Sequence, residues 1–423
     1  MNAGKPVGGL RGRHERDLES RIAALTDTFT TLFARQPDVI ARAPGRAEIL
    51  GCHTDYNYGF ALAAGISRST LTLLQKRSDT TIHVYSSAYP DHGVVTFPVG
   101  DQTRDTDKTW TNYVRAVIRE LVRAGHTVGG ANILIDSTVP KSGGVSSSAA
   151  LELAIAFGML GLYKEPIDRT KTALLCKVAE NSDLVNSPCG FLDQGASAFA
   201  QDDAMVLLDF LPKGESPVSD IQVIPAHFPT PVTFTIPVDP TLERQLGETG
   251  YVVRRKMCEE SLPFWTTVLG RPVKSLRDVS INEFEVHRDE LDKKNTVMRK
   301  RVEHIVRENQ RVLDAVAALQ KNDMTTFGRL LTEAGRSSLE LYELDENTPQ
   351  LTFLVETGRT IPGVVGMRNM GGGFSAIALA LVADSAIQSF QKTLSSLYNK
   401  KFGRSLEFID FSPSQGAEVI YHA

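Results

Sequence analysis

Four cysteines, at positions 52, 176, 189 and 258, are too few and too scattered for a disulfide framework or a CxxC zinc site. No uninterrupted apolar run reaches the roughly 20 residues that a membrane-spanning helix needs, so no membrane partner is expected. The opening stretch MNAGKPVGGLRGRHERD lacks the apolar core of a secretory leader, and a reducing cytoplasm is the expected compartment. Nor does one charge dominate. The 46 basic and 50 acidic residues leave a net charge of -4, which argues against the basic stripe of a nucleic-acid binder. The short basic stretch GGLRGRHER reads as a solvated tail. Internal repeats and low-complexity tracts are also missing.

What is present describes an ordinary globular chain, 42% hydrophobic and 23% charged. At 423 residues it exceeds a single compact core, which predicts two domains. Apolar residues at helical spacing (Leu18, Ile22, Leu25, Phe29, Leu32) predict a helix over 15–35. APGRAEIL carries a turn signal, Pro44-Gly45, between apolar segments. STLTLLQKR and TTIHVYSS are β-branched and read as strands, and ANILIDSTVP as another. A helix is expected from Asn112 to near Gly125. The proline-bearing LPKGESPVSD marks the expected boundary, giving domains 1–213 and 214–423. Residues 250–345 read as mostly helical, and GGGFSAIALALV, LEFIDFSP and AEVIYHA as strands near the end.

The strongest chemical signal is PKSGGVSSSAALELA. Its glycines let a backbone approach a ligand closely, and its serines supply hydroxyls. The helix that follows directs free amides and its positive dipole end back at the loop. This is an anion cradle without the lysine of a P-loop. A plain N-cap explains one serine; three serines beside two glycines favour phosphate. The glycine triplet in GMRNMGGGFSAIALALV and the Asp-Gln pair in CGFLDQGAS are weak signals taken singly.

Together, APGRAEILGCHTDYN, VPKSGGVSSSAALELA and MGGGFSAIALAL resemble the three ordered motifs of the GHMP small-molecule kinases. HTDYN, PCGFLDQ and GYVVRRKMCEE are similar to the galactokinase branch, as is the tail FSPSQGAEVI. The resemblance implies an α+β GHMP kinase fold. Its N-terminal domain would be like ribosomal protein S5 domain 2, and its C-terminal domain ferredoxin-like. It also implies transfer of a phosphoryl group from ATP, with Mg2+, to the anomeric hydroxyl of a hexose. A monomer is expected, with a dimer as the alternative.

By the same resemblance, Gly143, Gly144, Val145, Ser146, Ser147, Ser148 and Ala149 would wrap the ATP phosphates. Ser148 and Glu180 would be the magnesium ligands, and Trp110 and Tyr113 would lie by the nucleotide. Asp193 would be the base beside the reacting hydroxyl, and Arg46 would stabilise charge between it and the phosphates. Cys52, His53, Asp55, Gly190, Asp193 and Tyr251 would contact the sugar. Two positions depart from the family pattern: Cys52 stands where a glutamate reaches the sugar's C6 end, and Glu48 where asparagine is usual. Galactose is the expected substrate. The cysteine leaves open a C6-altered relative, such as galacturonate or a 6-deoxy sugar, and a non-catalytic galactose sensor is a third reading.

Overall fold

The computed structural model describes residues 10–141, 143–242 and 250–422, with side chains from residue 17 onward. The basic tail GGLRGRHER lies outside the described side chains. The chain runs α1 (Leu10–Phe33), β1 (Val39–Leu50), β2 (Phe60–Lys76), β3 (Thr81–Ser86) and β4 (Val95–Pro98). Next come α2 (Thr111–Arg123), β5 (Ala131–Ser137), α3 (Ser147–Tyr163), α4 (Arg169–Glu180), α5 (Leu192–Phe199), β6 (Ala204–Asp209) and β7 (Asp220–Pro225). The second half holds β8 (Val232–Val238), α6 (Tyr251–Leu269), α7 (Ile281–Lys294), α8 (Thr296–Gln320), α9 (Met324–Glu340) and α10 (Pro349–Gly358). It closes with β9 (Val364–Asn369), β10 (Ala378–Ala383), α11 (Ile387–Phe402), β11 (Glu407–Phe411) and β12 (Glu418–His422).

The first sheet has the order β12-β1-β2-β5-β3-β4, with β6 paired to the first part of β2 and β7 outside it. β2 is buried along most of both faces, which explains its near-continuous run of apolar and small residues. On it lies α3, apolar on every side save for the buried Glu152, and buried from Ala149 to Leu162 apart from Leu151. Thr72 Oγ1 of β2 donates to the Ala154 carbonyl of this helix at 2.9 Å. Each large α3 side chain buried there, such as Leu153 or Leu160, contributes roughly 1.5–3 kcal/mol.

Two expectations need correction. Pro44-Gly45 makes no turn: β1 continues through it, and its pairing with β2 shifts register between Pro44 and Arg46. The irregularity is a bulge, which absorbs a proline without ending a strand. Glycine is required there because a Cβ on Gly45 would lie 2.6 Å from the Val145 carbonyl oxygen. The boundary at 213 is also misplaced. LPKGESPVSD connects two strands of one hairpin, since β7 pairs antiparallel with β6, and Lys213 bridges Ser216. By sheet membership the first domain continues to Pro225, and it regains β12, which pairs with β1.

The second sheet, β11-β8-β10-β9, is antiparallel throughout. Helices α9, α10 and α11 pack on it, completing the ferredoxin-like domain. The two domains share a core. Ala47, Ile49 and Leu62 of the first sheet cluster with Ile236, Val312 and Leu379 of the second domain. The candidate site lies along this seam.

Candidate active site

The bulge at Gly45 has a chemical consequence. It turns the Arg46 amide toward the glycine-serine loop, where it donates to Val145 O at 3.0 Å. The Arg46 guanidinium, buried, donates through Nη1 to Gly144 O at 2.7 Å. Its Nε and Nη2 both reach Asp193 Oδ1, at 2.9 and 2.5 Å. The other oxygen, Asp193 Oδ2, accepts from Ser146 Oγ at 2.6 Å. Ser146 is left-handed, with φ 57°, an uncommon conformation for a residue bearing a side chain. It precedes the first turn of α3 but makes no side-chain cap hydrogen bond. Its hydroxyl serves the carboxylate, and the helix's first amides stay free of a side-chain cap and can meet an anion. Loop, arginine and carboxylate therefore form one assembly.

Ser148, one residue into α3, hydrogen-bonds the Glu180 side chain at the end of α4. Glu180 Oε2 also accepts from Gln194 Nε2 at 2.7 Å and from the Cys189 thiol at 3.2 Å. Burial pushes the Glu180 carboxyl up, and the Ser148 hydrogen bond opposes it. Gln194 Nε2 donates as well to Glu152 Oε2 at 3.1 Å. Glu152 is fully buried, and desolvation raises it well above the usual carboxylate range.

Ser147 and Ser148 border a cavity of about 400 Å³, walled also by Tyr89, Trp110, Tyr113 and Lys141. Tyr89 and Trp110 stack in parallel, with centroids 5.8 Å apart and 6° between planes. Lys141 Nζ lies 4.0 Å from the Tyr89 ring centroid. An apolar aromatic slot ending at the glycine-serine loop suits a nucleoside. Trp110 and Tyr113 share this cavity with Ser147 and Ser148. Tyr89 was not singled out, because nothing in the sequence ties the end of β3 to this slot, and Lys141, inside the glycine-serine stretch, was given no role.

A second cavity, about 530 Å³, is lined by Asp55, Gly190, Tyr251 and Arg255. A Cβ on Gly190 would come 2.9 Å from Asp55 Oδ2, so glycine keeps that carboxylate open. His53 Nδ1 meets Tyr56 Oη at 2.9 Å, and its ring centroid lies 5.1 Å from that of Tyr251. Cys52 differs from expectation. It is completely buried, its thiol donating to Gly371 O at 3.2 Å and accepting from Asn369 Nδ2 at 3.6 Å. It packs among second-domain residues and does not line this cavity. Burial pushes the thiol well up, which removes thiolate chemistry.

Burial also lifts Asp55 to about 6, against the pull of backbone amides. A raised carboxyl is protonated as pH falls through about 6, and a protonated Asp55 would lose the capacity to accept two hydroxyls, the role expected of it toward a sugar. The sugar KM should therefore climb below pH 6, while the KM for ATP stays level. Asp55→Asn should raise the sugar KM throughout and flatten this dependence; an unchanged acid limb would remove Asp55 from the sugar site.

Glu152 was not singled out in the sequence, and Gln194 only as half of a weak Asp-Gln signal. The signal for Gln194 was its place beside Asp193 in LDQ, where one turn of α5 aims both side chains into the site.

Two family models match. The one described as GHMP kinases N terminal domain covers residues 112–201, and the galactokinase galactose-binding signature covers residues 27–76. A galactokinase of Roseiflexus sp. (strain RS-1) is 34% identical over 384 residues, 90% of this chain and 93% of the relative. A galactokinase of Haemophilus influenzae is 34% identical over 395 residues, covering 92% and 98%. Among solved structures, Lactococcus lactis galactokinase complexed with galactose superposes with a TM-score of 0.81 at 29% identity, covering 94% of this chain and 99% of that one. Methanococcus jannaschii mevalonate kinase, at 14% identity and TM-score 0.61 over 90% of this chain and all of that one, shares the fold.

Proposed function

This chain belongs to the galactokinase family of GHMP kinases, and from that premise we propose how its residues move a phosphoryl group from ATP to the anomeric hydroxyl of galactose. One observation carries the reading: Asp193 is held at once by Arg46 and by Ser146 of the phosphate loop, so base and phosphate cradle are a single unit. Asp193 accepts the proton of the sugar hydroxyl. Arg46, bridging that carboxylate and the loop carbonyl of Gly144, stabilises charge spreading over the transferring group. Gly143 to Ala149 hold the phosphates, Trp110 and Tyr113 the nucleoside, and His53, Asp55, Gly190 and Tyr251 the sugar.

Magnesium fits the residues present. Ser148 and Glu180 offer two hard oxygen donors beside the nucleotide cavity, and Mg2+ takes few protein ligands along with phosphates and waters. When bound, the ion offsets charge on the phosphate oxygens. Gln194 holds Glu180 in place from behind. Ser148→Ala and Glu180→Gln should each raise the magnesium needed for half-maximal rate by roughly tenfold or more. Titrations of both variants that overlay the parent's would put the metal elsewhere.

The case for a 6-deoxy sugar rested on a thiol facing the substrate, and with Cys52 buried against Gly371 that reason is gone. The case for galacturonate rested on the absence of a carboxylate at position 52, and the sugar panel decides it. None of the four cysteines is in a disulfide and three are buried, which suits a reducing compartment, and we propose a cytoplasmic enzyme. The test is ADP release with galactose, galacturonate, a 6-deoxy galactose and glucose. Galactose should give the highest kcat/KM; sugar binding with no ADP from any of them would make this a sensor.

A further inference from the structure

The chain that carries the sugar-site residues leaves β1 through Ile49–Cys52, and three buried side chains of the second domain grip its backbone there. Arg368 Nη1, from β9, donates to Ile49 O at 3.0 Å. Glu308 Oε1, from α8, accepts from Gly51 N at 2.9 Å. His304 Nε2, one turn earlier on α8, meets Cys52 O at 3.2 Å. All three side chains are fully buried. Arg46 lies three residues before this grip and Asp55 three after it. The grip thus fixes where base and sugar ligands stand relative to each other.

The charges around the grip balance only because of Glu48. Arg368 has two carboxylates near it: Glu48 Oε1 at 3.4 Å from Nη2 and Glu308 Oε1 at 3.6 Å from Nη1. Glu308 is paired also with Arg311, and its carboxyl is held at about 2 by Arg311 and Arg368 despite its burial. Burial pushes His304 down to about 4, so at neutral pH it adds no charge. Burial pushes the Glu48 carboxyl up, against the pull of Arg368 and Arg46; with it ionised, two carboxylates face the two guanidiniums of Arg368 and Arg311. Cys52 Sγ sits in the same pocket, 3.6 Å from Asn369 Nδ2, on the residue next to Arg368. A glutamate at 52 would bring a third carboxylate into a space already neutral.

We infer that Arg368 and Glu308 are positioning residues for the sugar loop, and that positions 48 and 52 are coupled: their shared pocket takes one carboxylate besides Glu308, which can be exchanged between the two positions. Cys52 then affects the sugar through the backbone it belongs to, without touching the substrate.

The inference rests on the cavity of Asp55 and Tyr251 being the sugar's, so its test has one arm that depends on that reading and one that does not. Cys52→Glu, Glu48→Asn and the double variant are compared by thermal unfolding and by KM for galactose and ATP. Each single change should lower the melting temperature and raise the galactose KM about tenfold, because each leaves a buried charge unmatched. The double variant should recover most of both, with the KM for ATP within about twofold throughout. Additive losses in melting temperature would overturn the exchange whatever the activity does. If Cys52→Glu alone fails to fold, the double variant decides: a folded double supports the exchange, and an unfolded one overturns it. Coupled melting temperatures with an unmoved galactose KM would keep the exchange but overturn both the positioning role and the sugar reading of the cavity. Arg368→Lys should keep part of the galactose affinity that Arg368→Met loses, and equal behaviour of the two would overturn the positioning role of Arg368.

Discussion

Asp193→Asn is expected to fold, bind ATP and turn over galactose on the order of 10²–10⁴-fold more slowly, the usual span for loss of a general base. The amide is isosteric. Its oxygen can keep the hydrogen bonds from Arg46 Nε and Nη2, and its nitrogen can donate to Ser146 Oγ once that hydroxyl turns. Geometry therefore survives while the capacity to accept the sugar's proton is lost. The loss should fall on kcat, with the KM for ATP close to the parent's. ADP release, with a melting curve and nucleotide titration as controls, measures it. Parent-like turnover in the folded variant would mean that Asp193 is not the base.

Arg46→Ala should cost about 10²–10³-fold in kcat, comparable to deleting one preorganised donor at a site of developing charge. It removes three hydrogen bonds at once, to both the base and the Gly144 carbonyl. Arg46→Lys should rescue little. One ammonium cannot present donors to Asp193 and Gly144 from a planar fork, and it would leave one acceptor short of a partner. A lysine variant within about threefold of the parent would reduce Arg46 to a point charge. Steady-state kinetics on both variants separates these outcomes.

The parts of this molecule that the sequence made legible are those where local chemistry and tertiary role agree. A glycine-serine stretch opening an apolar run points to the start of a buried helix, and α3 begins at Ser147. Sites built by long-range contact were harder to read. Pro44-Gly45 carries turn chemistry, yet sheet pairing on both flanks outweighs it and leaves a bulge. LPKGESPVSD has a linker's composition because a hairpin connection exposed to water needs the same residues. Cys52 read as a substrate contact from its neighbours His53 and Asp55. His53 itself turns left-handed, at φ 63°, and the path around it leaves Cys52 facing inward. Arg368, Glu308 and Glu48 are far apart in the chain, and only the fold shows that they share a pocket.

The pairing of β12 with β1 sets an order of events during synthesis. Strands β1 to β7 leave the ribosome early, but the edge of β1 stays unpaired until Glu418–His422 follow. At about 5–20 residues per second, the second domain occupies roughly 10–40 s of translation. For that time the nascent first domain shows an open strand, a template for pairing with another chain. The domain made first is thus completed last, and losing a handful of residues at the far end of the chain would damage the sheet that carries Arg46.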